Sequence, residues 1–241
     1  LPKKLKIEKF ERIKDYSNAD LIVCAVSSLG VDWFIDQISK IKKKELNIIL
    51  LTKGLAIQEG KLITISDKIK SELKKKRFND IVVSAIKGPC LAAGLANKMR
   101  TGTVIANENK EIAKLIQKVI TTEYYSTETL EDIKGVEFCG AIKNIYSMLI
   151  GASESLSNPS APEGIKSKFF LNTSASLIHR SISEMVKFVN YFGGKEATVY
   201  GLAGLGDLYV SAIGGRNSKM GKHLGQGILY KDAKEKFMKN V

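Results

Sequence analysis

Histidine and cysteine are scarce in this chain, acidic residues are outnumbered, and no apolar run approaches the length of a bilayer span. The two histidines in 241 residues, His179 and His223, stand in helical contexts with no second ligand candidate nearby. Both read as structural rather than as metal ligands or catalytic bases. The three cysteines, Cys24, Cys90 and Cys139, are odd in number, far apart and set among apolar residues. That pattern excludes a disulfide frame and a metal cluster, and fits buried, reduced thiols in a cytoplasmic protein. The most apolar stretches are broken by lysine or polar residues within about ten positions, where a spanning helix needs about 20. No signal-peptide pattern opens the chain. It begins with Leu1 rather than methionine, so it is expected not to be a complete translation product. Internal repeats and low-complexity tracts are also absent.

Positive charge is abundant. Lysine and arginine total 38 against 25 acidic residues, a net +13 carried almost wholly by lysine. A nucleic-acid partner would require those cations on one face or in a recognisable module. They are instead scattered (Lys42–Lys44, Lys74–Lys76, Lys231–Lys239) without interleaved aromatics, as solvated faces are. A surplus of this size still steers small phosphorylated molecules toward the protein. The 44% apolar content supports a sizeable core in one or two domains.

Two regimes divide the chain. In the first, short continuous apolar runs at 19–26, 47–52, 80–86 and 103–106 end in polar or turn residues and alternate with helical patterns, one of them from Glu108 to Ile120. Such runs predict a parallel sheet covered on both faces, an open α/β architecture. From about residue 130 the period is helical, with long segments at 131–156 and 170–192 separated by a Ser- and Pro-rich loop at 153–167. The expected boundary lies near 128. It separates a partial dinucleotide-binding domain (1–128) from a helical substrate domain (129–241) that stops abruptly in a lysine-rich helix.

Ligands of open α/β sheets sit beyond the carboxyl ends of the strands. That rule groups Ser27-Ser28, Lys53-Gly54 and Gly88-Pro89 on one edge. In the helical half, Gly135-Val-Glu-Phe-Cys-Gly-Ala-Ile-Lys-Asn144 places a lysine and an amide inside an apolar, small-residue helix. An unpaired ammonium is costly to bury and loses basicity there, which suits a tunable proton donor. Gly214-Gly-Arg-Asn217 offers a guanidinium fork where a new helix can begin, a good anion site. Gly201-Leu-Ala-Gly-Leu-Gly206 has the order G-x-x-G-x-G with no strand before it, and reads as a packing turn rather than a nucleotide fingerprint. Cys139 reads as a small core residue.

Gly88-Pro-Cys-Leu-Ala92, the 135–144 segment, Gly201-Leu-Ala-Gly-Leu-Gly-Asp-Leu208 and Gly214-Gly-Arg-Asn217 together resemble the sn-glycerol-3-phosphate dehydrogenase family, in order along nearly the whole chain. The resemblance implies a Rossmann-type domain followed by a helical domain, NAD or NADP as cofactor, a small phosphorylated substrate and a homodimer. It implies no nucleic-acid partner. It makes Lys143 the proton donor to the carbonyl oxygen, with Lys53 supporting that oxygen and Asp207 orienting Lys143 beside Asn144. Ser211 and Gly88 would contact substrate, Arg216 and Asn217 would bind its phosphate, and Ser27, Ser28, Lys53, Ala92 and Arg216 would border the cofactor, with Cys90 on the same boundary. The family's first strand, its G-x-G-x-x-G/A turn and its ribose-reading residue are absent from the sequence, so a fragment lacking the first strands is expected. No proline precedes Ser27-Ser28, Cys90 stands at a common serine place, and Gly94 stands where an acidic residue is usual. Two alternatives remain open: a related 6-phosphogluconate or hydroxy-acid dehydrogenase-type reductase, or a non-catalytic phosphate- or nucleic-acid-binding relative.

Overall fold

β-branched runs that bury both faces build the first half of the molecule. The computed structural model describes residues 8–9, 18–41, 45–156 and 163–238, the stretch 163–169 as backbone only. Leu1-Pro2, Lys42–Lys44, positions 157–162 and Lys239 lie outside the described residues. The chain runs through β1 (Ile22–Cys24), α1 (Val31–Ile38), β2 (Glu45–Leu50), a hairpin of β3 (Leu55–Gln58) and β4 (Lys61–Thr64), and α2 (Ile65–Lys75). It continues through β5 (Asp80–Lys87), α3 (Ala92–Ala96), β6 (Thr101–Ala106), α4 (Lys110–Ile120) and β7 (Tyr125–Leu130). Helices follow: α5 (Ile133–Leu156), α6 (Glu163–Tyr191), α7 (Glu196–Tyr200), a π-helical turn (Leu202–Gly206), α8 (Asp207–Gly214), α9 (Arg216–Gly225) and α10 (Tyr230–Phe237).

The five-stranded sheet has the order β1-β2-β5-β6-β7. β1, β2 and β5 pair in parallel, with Ile22 opposite Ile48 and Ile48 opposite Val83. One face is covered by α1, α2 and α5 through Phe34, Ile35, Ile69, Leu73, Val136 and Phe138. α4 covers part of the other with Ala113 and Ile116 against Ile49 and Ile105. This is the open α/β sheet with a helical unit after it that the sequence predicts.

The details differ in four places. β6 runs antiparallel to β5, with Ile86 opposite Ile105, while β7 is parallel to β6. A parallel return needs a full crossover helix, and five-residue α3 is too short to provide one. The β3–β4 hairpin turns on Glu59 and Gly60, both at positive φ (53° and 75°), as a two-residue loop of primed type demands. The loop expected at 153–167 is partly helical, because α5 continues to Leu156 and α6 starts at Glu163. Position 128 falls inside β7, whose polar Tyr-Ser-Thr-Glu-Thr-Leu sequence carries little strand signal; sheet gives way to helix between Leu130 and Ile133.

α5 is the axis of the helical half. Buried Asp132 fixes its start by accepting hydrogen bonds from the Gly135 amide (2.9 Å), the Lys195 amide (2.8 Å) and the Thr198 hydroxyl (2.6 Å). An acidic cap also favours the positive end of the helix dipole. Further along, α5 and α9 meet backbone to backbone. A methyl at Gly151 would collide with the Ser218 carbonyl, one at Gly221 with the Met148 carbonyl, and one at Gly225 with the Ala152 carbonyl. This close approach fixes where α9 begins, and hence where Arg216 stands.

Gly221→Ala or Gly151→Ala is therefore expected to lower stability by about 1–3 kcal/mol, the usual range for overpacking. Gly94→Ala, whose new methyl meets nothing nearer than Met99 Cβ at 3.9 Å, is the control and should not destabilise. Urea unfolding of the three variants checks the ranking.

Candidate active site

Three strand ends converge on one edge because short contacts lock their turns together. The Thr52 hydroxyl, just past β2, donates to the Val26 carbonyl just past β1 (2.7 Å). Gly54, at φ 156°, admits the Ser27-Ser28 turn so closely that a methyl there would meet Ser28 Cβ at 2.9 Å. Gly88 ends β5 at φ 137° with Thr103 Cα where a side chain would go, 3.0 Å from an ideal Cβ, so only glycine fits without strain. The helical half docks on this edge. Pro89 lies 3.5 Å from where a Gly206 side chain would start, and Leu91 lies 3.3 Å from the same point on Gly214.

Asp207 stands at the first turn of α8 and is only 2% exposed. Its two carboxylate oxygens take different lysines. Lys53 Nζ, from the turn after β2, donates to Oδ2 at 2.9 Å. Lys143 Nζ, from the middle of α5, donates to Oδ1 and also to the Ser211 hydroxyl at 2.6 Å. Ser211 lies one turn further along α8, so Asp207 and Ser211 present one face to the lysine. The predicted packing turn at 201–206 is instead a π-helical turn running straight into α8. Gly204 lets that turn press on the Val199 carbonyl, and a π-helical insertion of this kind often marks a functional site.

Lys143 is 3% exposed, whereas the Lys53 side chain keeps 35% of its surface. Burial pulls the Lys143 ammonium down to about 8; the Asp207 carboxylate opposes that shift and the Lys53 charge adds to it. An ammonium near 8 both donates and accepts protons at working pH, and two cations on one spot stabilise an oxyanion.

Two further buried charges beneath this cluster are absent from the residues predicted by sequence. Lys87, the last residue of β5, is 2% exposed and donates to the Leu50 carbonyl (3.1 Å) and the Thr52 carbonyl (2.8 Å). Its stem runs over Gly140 of α5, where a methyl would lie 3.0 Å from Lys87 Cδ. Burial lowers this ammonium to about 8, partly offset by Glu137. Glu137, 1% exposed on α5, accepts from the Ser66 amide in the first turn of α2 (3.2 Å), and burial pushes its carboxyl upward. The available signals were an alternating Val83, Ala85, Lys87 on the sheet and a glutamate within the apolar 135–144 segment.

The remaining predicted residues take no part in the hydrogen bonds of the cluster. Asn144, next to Lys143, is half-buried, and its side-chain amide has no partner among the described residues. Ser27, Ser28 and Ala92 are exposed along the strand edge. Arg216 and Asn217 open α9, one residue past a Gly215 whose amide donates to the Ser211 carbonyl (3.0 Å). The exposed Arg216 guanidinium makes no hydrogen bond or ion pair among the described residues. Cys90 is half-buried beside Lys53, and burial raises its thiol. Cys139 is buried and pushed up to about 12, the behaviour of an inert core thiol. All three cysteines are unpaired. No described helix is long and apolar enough to cross a membrane.

Residues 1–113 match the N-terminal model, and residues 132–241 the C-terminal model, of NAD-dependent glycerol-3-phosphate dehydrogenase. The chain is 30% identical over 225 residues to an NADP(+)-dependent glycerol-3-phosphate dehydrogenase of Archaeoglobus fulgidus, covering 92% of this chain and 63% of that one. It is 33% identical over 233 residues to a glycerol-3-phosphate dehydrogenase [NAD(P)+] of Clostridium botulinum, covering 95% and 65%. The chain thus spans under two thirds of the length of these relatives. The crystal structure of glycerol-3-phosphate dehydrogenase from Coxiella burnetii superposes with a TM-score of 0.77 at 30% identity, over 90% of this chain and 61% of that one.

The geometry sets a measurable titration. The Lys143 side chain, followed by carbon-13 NMR of its ε-methylene, should titrate near 8, and in Asp207→Asn its midpoint should fall further because the opposing carboxylate charge is gone. A midpoint near the ordinary 10.5 would contradict the electrostatic account.

Proposed function

Because the chain belongs to the NAD-dependent glycerol-3-phosphate dehydrogenase family, we propose that the protein interconverts dihydroxyacetone phosphate and sn-glycerol 3-phosphate with NAD or NADP. The observation that carries this reading is the pair of ammonium groups, Lys53 and Lys143, drawn from separate halves of the chain onto one carboxylate.

The edge formed by Ser27, Ser28, Gly54 and Gly88 suits the nicotinamide end of a dinucleotide: the two glycines draw the strand ends tightly together, and both serines are exposed beside them. Ser27, Ser28, Lys53, Ala92 and Arg216 would hold that end. When bound in its reduced form, the cofactor supplies the hydride. The chain's own residues do the rest. Arg216 and Asn217, at a helix N-terminus, bind the substrate phosphate and set the position of its carbonyl. Lys143 gives its proton to the carbonyl oxygen as charge develops there, and takes it back from the hydroxyl in oxidation. Lys53 holds the same oxygen with a second positive charge. Asp207 and Ser211 keep the Lys143 tip in place, and Asn144 and Gly88 border the reacting carbon.

The reaction feeds glycerophospholipid synthesis and redox balance. The reading extends to a cytoplasmic homodimer. Three unpaired thiols support the compartment, and exposed apolar Ile145, Leu149, Tyr209 and Ile213 support an interface with a second copy.

Three kinetic outcomes are expected. Lys143→Ala should lower NAD(P)H oxidation with dihydroxyacetone phosphate by about 10²–10⁴-fold with folding intact. Near-normal turnover would remove its assigned role. With Lys143 titrating near 8, reduction should lose rate as pH rises through that value, and oxidation of sn-glycerol 3-phosphate should gain it. Arg216→Ala should act instead through phosphate binding, raising KM for dihydroxyacetone phosphate by about 10–100-fold, the loss of one charged hydrogen-bonded pair.

A further inference from the structure

We propose that Lys87 is a positioning residue: its buried ammonium ties the carbonyls of Leu50 and Thr52 and thereby holds Lys53 on Asp207. This role rests on the dehydrogenase reading only where turnover is concerned; the geometry stands without it. Lys53 follows directly on Thr52, whose hydroxyl is committed to the Val26 carbonyl and whose own carbonyl accepts a hydrogen bond from the Lys87 ammonium at 2.8 Å. The peptide that launches the Lys53 side chain is therefore pinned on both sides. Gly54 then follows at φ 156°, packed against Ser28, so the turn between the pinned Thr52 and this glycine has little freedom of its own.

Lys87 is held as tightly as what it holds. Its stem fills the place a side chain would occupy on Gly140, so α5 and the end of β5 close over it together. The charged and titratable groups around it are Glu137 from α5, Lys53 from the turn after β2, Asp207 from α8 and Cys24 from β1. Glu137 supplies the compensating negative charge, with its Oε1 on the Ser66 amide and its Oε2 without a hydrogen-bond partner. A buried cation in this position is expensive unless its donors find acceptors and a counter-charge is near; two carbonyls accept from Lys87, and Glu137 offsets part of the cost of burial. Hydrogen bonds thus lead from Lys87 to the Thr52 peptide and, through Lys53, to the Asp207–Lys143 pair, while Glu137, anchored at the start of α2, acts on Lys87 through its charge alone. At 2% exposure Lys87 steadies the site from within the core rather than at its surface.

The test compares Lys87→Met, Gly140→Ala and the wild-type protein by hydrogen exchange and by carbon-13 NMR of lysine ε-methylenes. In Lys87→Met, amide exchange across residues 51–54 should rise by about tenfold or more, the effect of losing one or two buried hydrogen bonds. Once Lys53 leaves Asp207, Lys143 loses the repulsion of that charge, so its titration midpoint should move upward. A residue that merely filled space would leave that midpoint unchanged. Gly140→Ala pushes on the Lys87 stem from the other side and should give smaller changes of the same sign; it also serves if Lys87→Met fails to fold. The effects of the two substitutions together should be less than additive, because both act through one side chain. Unchanged exchange at 51–54 with an unchanged Lys143 midpoint, in whichever variant folds, overturns the proposal. Neither readout requires turnover, so wild-type protein inactive on dihydroxyacetone phosphate would sink the dehydrogenase reading and leave this one standing. Where turnover is present, Lys87→Met should lower kcat about tenfold and barely change KM, because phosphate binding lies elsewhere.

Discussion

The Asp207 carboxylate is the joint on which the molecule closes: one oxygen holds an ammonium from the sheet, the other an ammonium from the helical half. Two like charges would not share a buried space on their own. Between them, a single anion makes the approach of Lys53 and Lys143 favourable while leaving the pair one positive charge in excess. That residual charge does two things at once. It adds to burial, the larger cause, in keeping the Lys143 proton labile, and it makes the spot attractive to an oxygen that is becoming an anion. Removing Asp207 would leave both ammoniums without their shared anion, and breaking a buried pair in this way typically costs about 3–5 kcal/mol. Stability and chemistry therefore draw on the same three side chains.

Close backbone approach is what allows these side chains to meet. Gly54 and Gly88 bring the strand ends together, Gly204 lets the π-helical turn present Asp207, and Gly140 makes room for Lys87. Gly151, Gly221 and Gly225 do the same between α5 and α9, the helix that Arg216 opens. In each case the missing side chain is replaced by a carbonyl, a turn or a lysine stem from another element. The glycines are thus spacers that set distances between charges, and substituting them alters the site through packing.

Much of this was legible in the residue order. Continuous apolar runs marked β1, β2 and β5, and their ends marked the edge, because a buried parallel strand has no polar alternation to obscure it. Lys143 stood out as a cation in an apolar helix, and α5 and the start of α9 followed from period and glycine placement. The antiparallel β6 did not, since a run such as Thr103–Ala106 carries no direction; the short α3 decides it. β7 was hidden by its polar composition, and the Glu59-Gly60 hairpin by its brevity. Lys87 and Glu137 were passed over because each looks ordinary locally, a lysine before Gly-Pro and a glutamate on a helix, and only tertiary packing buries them. The glycine-rich stretch before Asp207 read as a turn because a π-helical insertion leaves no periodic trace in five residues.

The most direct measurement of the central claim is a crystal structure of the protein soaked with sn-glycerol 3-phosphate. The account places the secondary hydroxyl of that ligand within hydrogen-bond distance of both Lys53 Nζ and Lys143 Nζ, with Asp207 still bound to the lysines and the phosphate at the Arg216 end of α9. A ligand whose hydroxyl touches neither ammonium, or whose phosphate lies away from the start of α9, would contradict it.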